Sequence, residues 1–223
     1  MNEHTPTRPR TVHLAAYDTL ADWEFGHATT QLREGSLFRS PHTAYDVVTV
    51  ASGTDRPVTT MGGLRILADL ALDSLRPEDS ALLILPGAHL WDTGEELAPF
   101  ARKAREFLDA GVPVAAICGT TAGLAREGLL DDRPHTSGAA GYLAEQPGYK
   151  GGDHYREADA VRDRGLITAG PTEPVAFARE IFAELDVMEP QVLDAWYRLF
   201  ARSDASAYPV LMAAGDTGSG SED

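Results

Sequence analysis

Cysteine is almost missing from this chain: Cys118 is the single one among 223 residues. No internal disulfide can form, which fits a reducing compartment and leaves intermolecular oxidation as the one crosslinking chemistry. Long apolar runs are missing too. No stretch approaches the roughly 20 residues that span a bilayer, and the opening MNEHTPTRPR lacks the apolar centre of a signal peptide. A cytoplasmic protein with no membrane partner is expected. Positive charge is scarce, with 19 Lys and Arg against 34 Asp and Glu, a formal net charge of −15 spread along the chain. Such a surface repels phosphate backbones, so no nucleic-acid partner is expected. The seven histidines show no paired ligand spacing, so no metal and no other cofactor is expected either.

What is present is ordinary globular material, 43% hydrophobic and 24% charged, enough for one substantial core. Residues 1–10 are polar with two prolines, and Gly215 to Asp223 is small and acidic, so both ends are expected to be disordered. Between them apolar strand-like runs alternate with helix-period segments, the pattern of an α/β sheet covered on both faces. Strands are expected near Thr11 to Ala16, Asp46 to Ala51, Ala81 to Leu85, Val112 to Ile117 and Leu166 to Ala169. Helical periodicity marks Glu95 to Ala110, ended by Gly111, and Glu173 to Leu185, with Thr172 as N-cap. Ala160 to Arg162 and Leu166 to Thr168 flank Asp163-Arg164-Gly165 and read as an antiparallel pair with glycine supplying a positive φ. Pro190 to Ala201 carries Val192, Leu193, Trp196, Leu199 and Phe200, an apolar face that packs on its own domain or on another subunit. The expected division is a domain over 11–188, a helical extension over 189–213 and an acidic tail over 214–223.

Cys118 stands where the buried run Val112 to Ile117 breaks into Gly119-Thr120-Thr121-Ala122-Gly123. A strand entering a helix there points N–H groups at the sulfur, which favours the thiolate. A free cysteine in such a place is either that nucleophile or a small buried hydrophobe. Three stretches are placed to serve a nucleophile. The turn Leu85-Pro86-Gly87-Ala88-His89 ends the neighbouring strand, so the N–H groups of Ala88 and Gly119 are candidates for an oxyanion hole. Glu24, between Trp23 and Phe25, is a candidate buried carboxyl that holds a proton near the thiol, whereas Asp18 and Asp22 read as helix caps. His135 is the first candidate imidazole, with His154 and His89 behind it, and Thr120 is a further possible contributor.

These residues together resemble the DJ-one/PfpI family, within the class I glutamine amidotransferase-like superfamily. The resemblance rests on Ala81 to Ala88, on Ala115-Ala116-Ile117-Cys118-Gly119-Thr120, on Ala21-Asp22-Trp23-Glu24, and on Gly165 to Gly170 followed by Pro174 to Arg179. It covers about Val12 to Leu185. It implies a flavodoxin-like three-layer sandwich with a mostly parallel central sheet, Cys118 on a nucleophile elbow, Glu24 against its sulfur, and oxyanion donors at Ala88 and Gly119. It also implies a homodimer. Members are glyoxalases or deglycases, proteases, isocyanide hydratases and oxidation-sensing proteins, so the fold does not settle the function.

The departures narrow the choice. Gly119 stands where protease-like members have histidine, Gly138 follows Thr136-Ser137 where others have histidine, and Pro171-Thr172-Glu173 stands where glutaminases have His-Pro-Glu. Protease and glutamine amidotransferase activity are therefore the less favoured expectations. The favoured one is a small-molecule enzyme in which Cys118 attacks a carbonyl-type electrophile and Glu24 moves the proton. A non-enzymatic oxidation sensor, with no second cysteine to resolve a sulfenate, is the alternative.

Overall fold

The structure, a computed structural model, describes residues 10–40 and 44–216. The apolar runs become the strands of the central sheet, and those at its middle, LLIL and VAAI, have no polar residue and are buried on both faces. The strands are β1 (Thr11–Ala15), β2 (Asp46–Ala51), β6 (Leu82–Leu85), β7 (Val114–Ile117) and β9 (Leu166–Ala169), joined at the edges by β5 (Leu70–Ala71) and β8 (Ala160–Asp163). The order is β5-β2-β1-β6-β7-β9-β8, parallel throughout except for β8 against β9. A separate two-stranded hairpin, β3 (Val58–Thr59) with β4 (Arg65–Ile66), lies outside this sheet.

Alternation along the strands divides the core in two. Leu82, Ile84, Ala115 and Ile117 face a layer made by α1 (Gly26–Glu34), α5 (Pro174–Glu184), α6 (Pro190–Arg202) and α7 (Tyr208–Asp216). Leu83, Leu85, Val114 and Ala116 face α2 (Ala98–Asp109), α3 (Thr120–Arg126) and α4 (Ala140–Ala144). The result is a three-layer α/β sandwich. Because β1, β6, β7 and β9 are consecutive neighbours, the loops at their carboxyl ends converge at one rim of the sheet.

Several local expectations change. α2 begins at Ala98 with Pro99 in its first turn, so Glu95 to Leu97 lie outside it. The N-cap of α5 is Glu173; the Thr172 hydroxyl bonds the Glu173 carboxylate at 3.0 Å and caps no backbone N–H. In the β8–β9 turn both Arg164 (φ 44) and Gly165 (φ 77) are left-handed, so a two-residue primed turn replaces the single glycine bend. α7 runs to Asp216, past the expected start of the tail at 214, and residues 1–9 and 217–223 of the expected disordered ends lie outside the described residues.

The C-terminal apolar face packs on its own domain. Trp196 is 0% exposed, with its ring 5.0 Å from Phe182 of α5 and 4.9 Å from Phe200. Burying an aromatic this large contributes several kcal/mol, and its removal leaves a cavity that the two helices cannot close. Trp196→Ala should therefore lower the unfolding free energy by about 3–5 kcal/mol in urea titration. A loss under about 1 kcal/mol would mean that α6 is docked without being part of the core.

Candidate active site

The site is built around one peptide group, that joining Pro86 to Gly87 at the end of β6. The Pro86 carbonyl accepts from the Tyr17 hydroxyl, from the Thr120 hydroxyl at 2.6 Å and from the Trp91 indole N–H at 3.3 Å. Its N–H, on Gly87, donates to Glu24 Oε2 at 2.5 Å, and the Gly87 carbonyl accepts from the Ala21 N–H at 2.9 Å. Tyr17 and Trp91 are buried and packed edge to face at 5.9 Å, so the clamp sits in a dry environment where hydrogen bonds hold geometry firmly.

Cys118 follows β7 in the left-handed region, φ 61, a conformation that costs a non-glycine residue about 1–3 kcal/mol. Its N–H donates to the Ala169 carbonyl at 3.0 Å. Its carbonyl accepts from the Thr121 N–H at 3.1 Å and the Thr121 hydroxyl at 2.6 Å. That hydroxyl's proton being committed, Ser137 donates to Thr121 Oγ1 at 2.7 Å, which ties the 135–138 loop to the turn. Gly87 is what lets the groups meet. A Cβ there would stand 2.7 Å from Cys118 Cβ, 2.9 Å from its Sγ and 2.9 Å from Glu24 Oε2, closer than real contacts allow. At Gly119 a Cβ would stand 3.3 Å from the Ala88 carbonyl, which places the two turns side by side.

Burial dominates the electrostatics. Glu24 is 0% exposed, and desolvation raises its carboxyl to about 7 although the Gly87 N–H and the Cys118 thiol both favour the ionised form. Glu24 Oε1 is buried and makes no hydrogen bond. Desolvation likewise pushes the Cys118 thiol up to about 12, reinforced by the Glu24 charge and hydrogen bond, while the Gly119 N–H pulls it down. The expected low-pKa thiolate is thus reversed in the resting site, because loss of water and a neighbouring carboxylate outweigh the N–H groups of a single turn. Near neutrality the pair therefore keeps a proton on the sulfur while the carboxyl titrates.

Above the pair opens a pocket of about 370 Å³. Glu24, Cys118, Gly119 and Ala88 line it together with Trp23, Met61, His89, Asp92, Gly138, Tyr142 and Pro171. Cys118, Glu24, Ala88 and Gly119 are therefore brought together. Thr120 contributes beneath, through Pro86. His135 is not among the lining residues: its ring is fully buried, bonded to the Arg133 carbonyl at 2.8 Å and the Tyr149 hydroxyl at 2.7 Å. The imidazole that lines the pocket is His89, and His154 does not reach it. Asp18 and Asp22 cap no helix. They accept from the N–H groups of Thr59 and Gly62, both at 2.7 Å, and hold the β3–β4 hairpin whose Met61 forms part of the rim. Sequence reasoning passed over Tyr17, whose place directly after β1 was its one signal, and the Tyr142–Asp92 hydrogen bond of 2.7 Å, for which there was none. Among the described residues, no group of three or more His, Cys, Asp or Glu side chains could hold a metal ion.

A carboxyl whose pKa is raised on folding binds more protons in the native than in the unfolded state between the two values, so stability falls as pH rises through that window. For Glu24 the window runs from 4.5 to about 7, and its ionisation costs the native state up to about 3 kcal/mol. His13, His27 and His135, lowered by burial, act in the opposite sense in wild type and variant alike. Urea titrations at pH 5 and pH 8 should show Glu24→Gln gaining stability relative to wild type by about 2–3 kcal/mol on going to the higher pH. A difference that does not move with pH would mean that Glu24 titrates as an ordinary surface carboxyl.

Known proteins share this arrangement of chain. The DJ-1/PfpI family model matches residues 10–184. The chain is 40% identical over 192 residues to the uncharacterized protease YoaZ of Bacillus subtilis, covering 85% of this chain and 90% of that protein. Its fold matches a ThiJ/PfpI family protein from Bacillus anthracis with a TM-score of 0.87 at 36% identity, covering 92% of this chain and 97% of the other. A DJ-1 superfamily protein from Agrobacterium tumefaciens superposes with a TM-score of 0.77 at 31% identity over 86% of this chain and 98% of the other. With a family model matched across most of its length, a mostly parallel sheet of the same build and relatives this similar, the chain belongs to the DJ-1/PfpI family.

Proposed function

We propose that this protein is a cysteine-dependent enzyme acting on small carbonyl-type electrophiles, with glyoxalase, deglycase or hydratase-like chemistry. The observation that carries this reading is the placement of the half-buried Cys118 and the buried Glu24 together in the lining of a pocket whose size suits a small molecule. A small-molecule substrate and a homodimeric assembly go with it.

Above about pH 7 Glu24 is ionised and the thiol is not. As the sulfur bonds to the electrophilic carbon, the thiol proton passes to Glu24 and the π pair of the carbonyl moves onto its oxygen. The Ala88 and Gly119 N–H groups serve as donors to that oxyanion, and the strained turn at Cys118 serves as the nucleophile elbow. Glu24 then returns the proton to the oxygen, so the addition consumes no oxidant or reductant. A carboxyl titrating near 7 suits both duties.

Two Bacillus subtilis relatives carry the word protease in their names. Peptide hydrolysis is the less favoured reading here, because the imidazole first expected to serve the thiol, His135, is committed to Tyr149. Peroxide sensing is less favoured as well, since the thiolate is the species oxidised and burial raises this thiol.

The decisive assay offers methylglyoxal, an aryl isocyanide and casein to wild type and to Cys118→Ala. At least one small electrophile should be consumed, with kcat/KM falling about 10³-fold or more in the variant. For wild type kcat/KM should rise with pH through about 7 as Glu24 ionises, a limb that Glu24→Gln removes. Hydrolysis of casein alone, or turnover indifferent to Cys118, would overturn the reading.

A further inference from the structure

We infer that the pocket selects by charge, admitting neutral electrophiles and turning away anionic ones such as 2-oxo acids and sugar phosphates. Asp92 at its mouth and Glu24 on its floor are the selecting groups. The inference deepens the enzymatic reading above and rests on it for the identity of the reacting atom.

The pocket lining holds two carboxylates and no lysine or arginine. Asp92 is exposed, yet its charge is felt at the Cys118 sulfur, and its Oδ1 accepts from the Tyr142 hydroxyl at 2.7 Å, which fixes the carboxylate at the rim. Arg126 acts electrostatically on Tyr142 but does not line the pocket, its Nη1 donating to Gln146 Oε1 at 2.7 Å and its Nη2 to the Trp91 carbonyl at 2.9 Å. His89 is the one lining side chain that can become cationic. Much of the remaining wall is carbon, from Trp23, Met61 and Pro171. An anion entering would lose hydration without gaining a counter-charge and would approach two like charges on the way to the sulfur. A neutral molecule meets neither penalty.

Because Cys118 is the sole cysteine, alkylation reads this site alone. Iodoacetamide and iodoacetate react by the same displacement: the sulfur–carbon bond forms, the carbon–iodine bond breaks with its electron pair on iodide, and the thiol proton goes to Glu24 or buffer. The ratio of the two rates cancels the ionisation of the thiol and leaves the charge of the reagent. At about pH 8.5, above the ordinary imidazole range, and at low salt, the neutral-over-anionic ratio in the folded protein should be at least about five times that of the same chain unfolded in urea. It should fall at least about twofold in Asp92→Asn and in about 0.5 M NaCl, which screens an exposed charge. A smaller folded ratio overturns the inference, and a ratio unmoved by Asp92→Asn removes Asp92 from it. Turnover of methylglyoxal against glyoxylate separates the two proposals. No turnover of these two or of the aryl isocyanide, with the alkylation ratio intact, would sink the catalytic reading alone. Equal turnover of both would sink charge selection alone.

Discussion

The Pro86–Gly87 peptide is held from both sides, and the geometry of the site follows from it. Three donors from three parts of the chain, Tyr17, Thr120 and Trp91, converge on its carbonyl, while its N–H meets Glu24. The carbonyl anchors the end of β6 to the ends of β1 and β7. The N–H aims a buried carboxyl at the sulfur. Few other groups in the chain could do this, because the approach of Cys118 and Glu24 leaves no room for a side chain at Gly87.

Around that clamp two costs are accepted. Cys118 is kept in a strained conformation by bonds to Ala169 and Thr121, and a carboxyl is kept out of water with one oxygen unpartnered. Neither serves stability. Both are features that a fold stores where a reacting group must be presented and a proton must be retained. The same burial that raises Glu24 to about 7 also raises the thiol, so on the proposed reading the thiolate is generated as the sulfur reacts and is not held in readiness.

The central strands were legible because runs such as Leu82 to Leu85 contain no polar residue and can only be buried on both faces. The pair Cys118 and Glu24 was legible because a strand end and an acid flanked by aromatics are local signals. The two-residue strands β3, β4 and β5 were not, since two residues carry no periodicity. Asp18 and Asp22 were assigned to a helix that starts only at Gly26, while their carboxylates reach a hairpin some 40 residues along the chain. The sequence ranks His135 above His89, and the structure reverses the order. The His135 ring is taken by Tyr149, a partner distant enough in sequence to leave no pattern, while His89 lines the pocket.

The clamp and the pocket rim come from different sets of residues. Tyr17, Thr120, Gly87 and the Cys118 turn are locked to one another, whereas Met61, Asp92 and Tyr142 form the rim from a hairpin, a loop and a short helix that bear little of the core. Change at the rim can therefore alter what enters without disturbing what reacts. On the proposed reading, a chain built this way is free to drift between substrates over evolutionary time while its reactive centre stays still, which is one physical route by which a single scaffold comes to serve many unrelated metabolic ends.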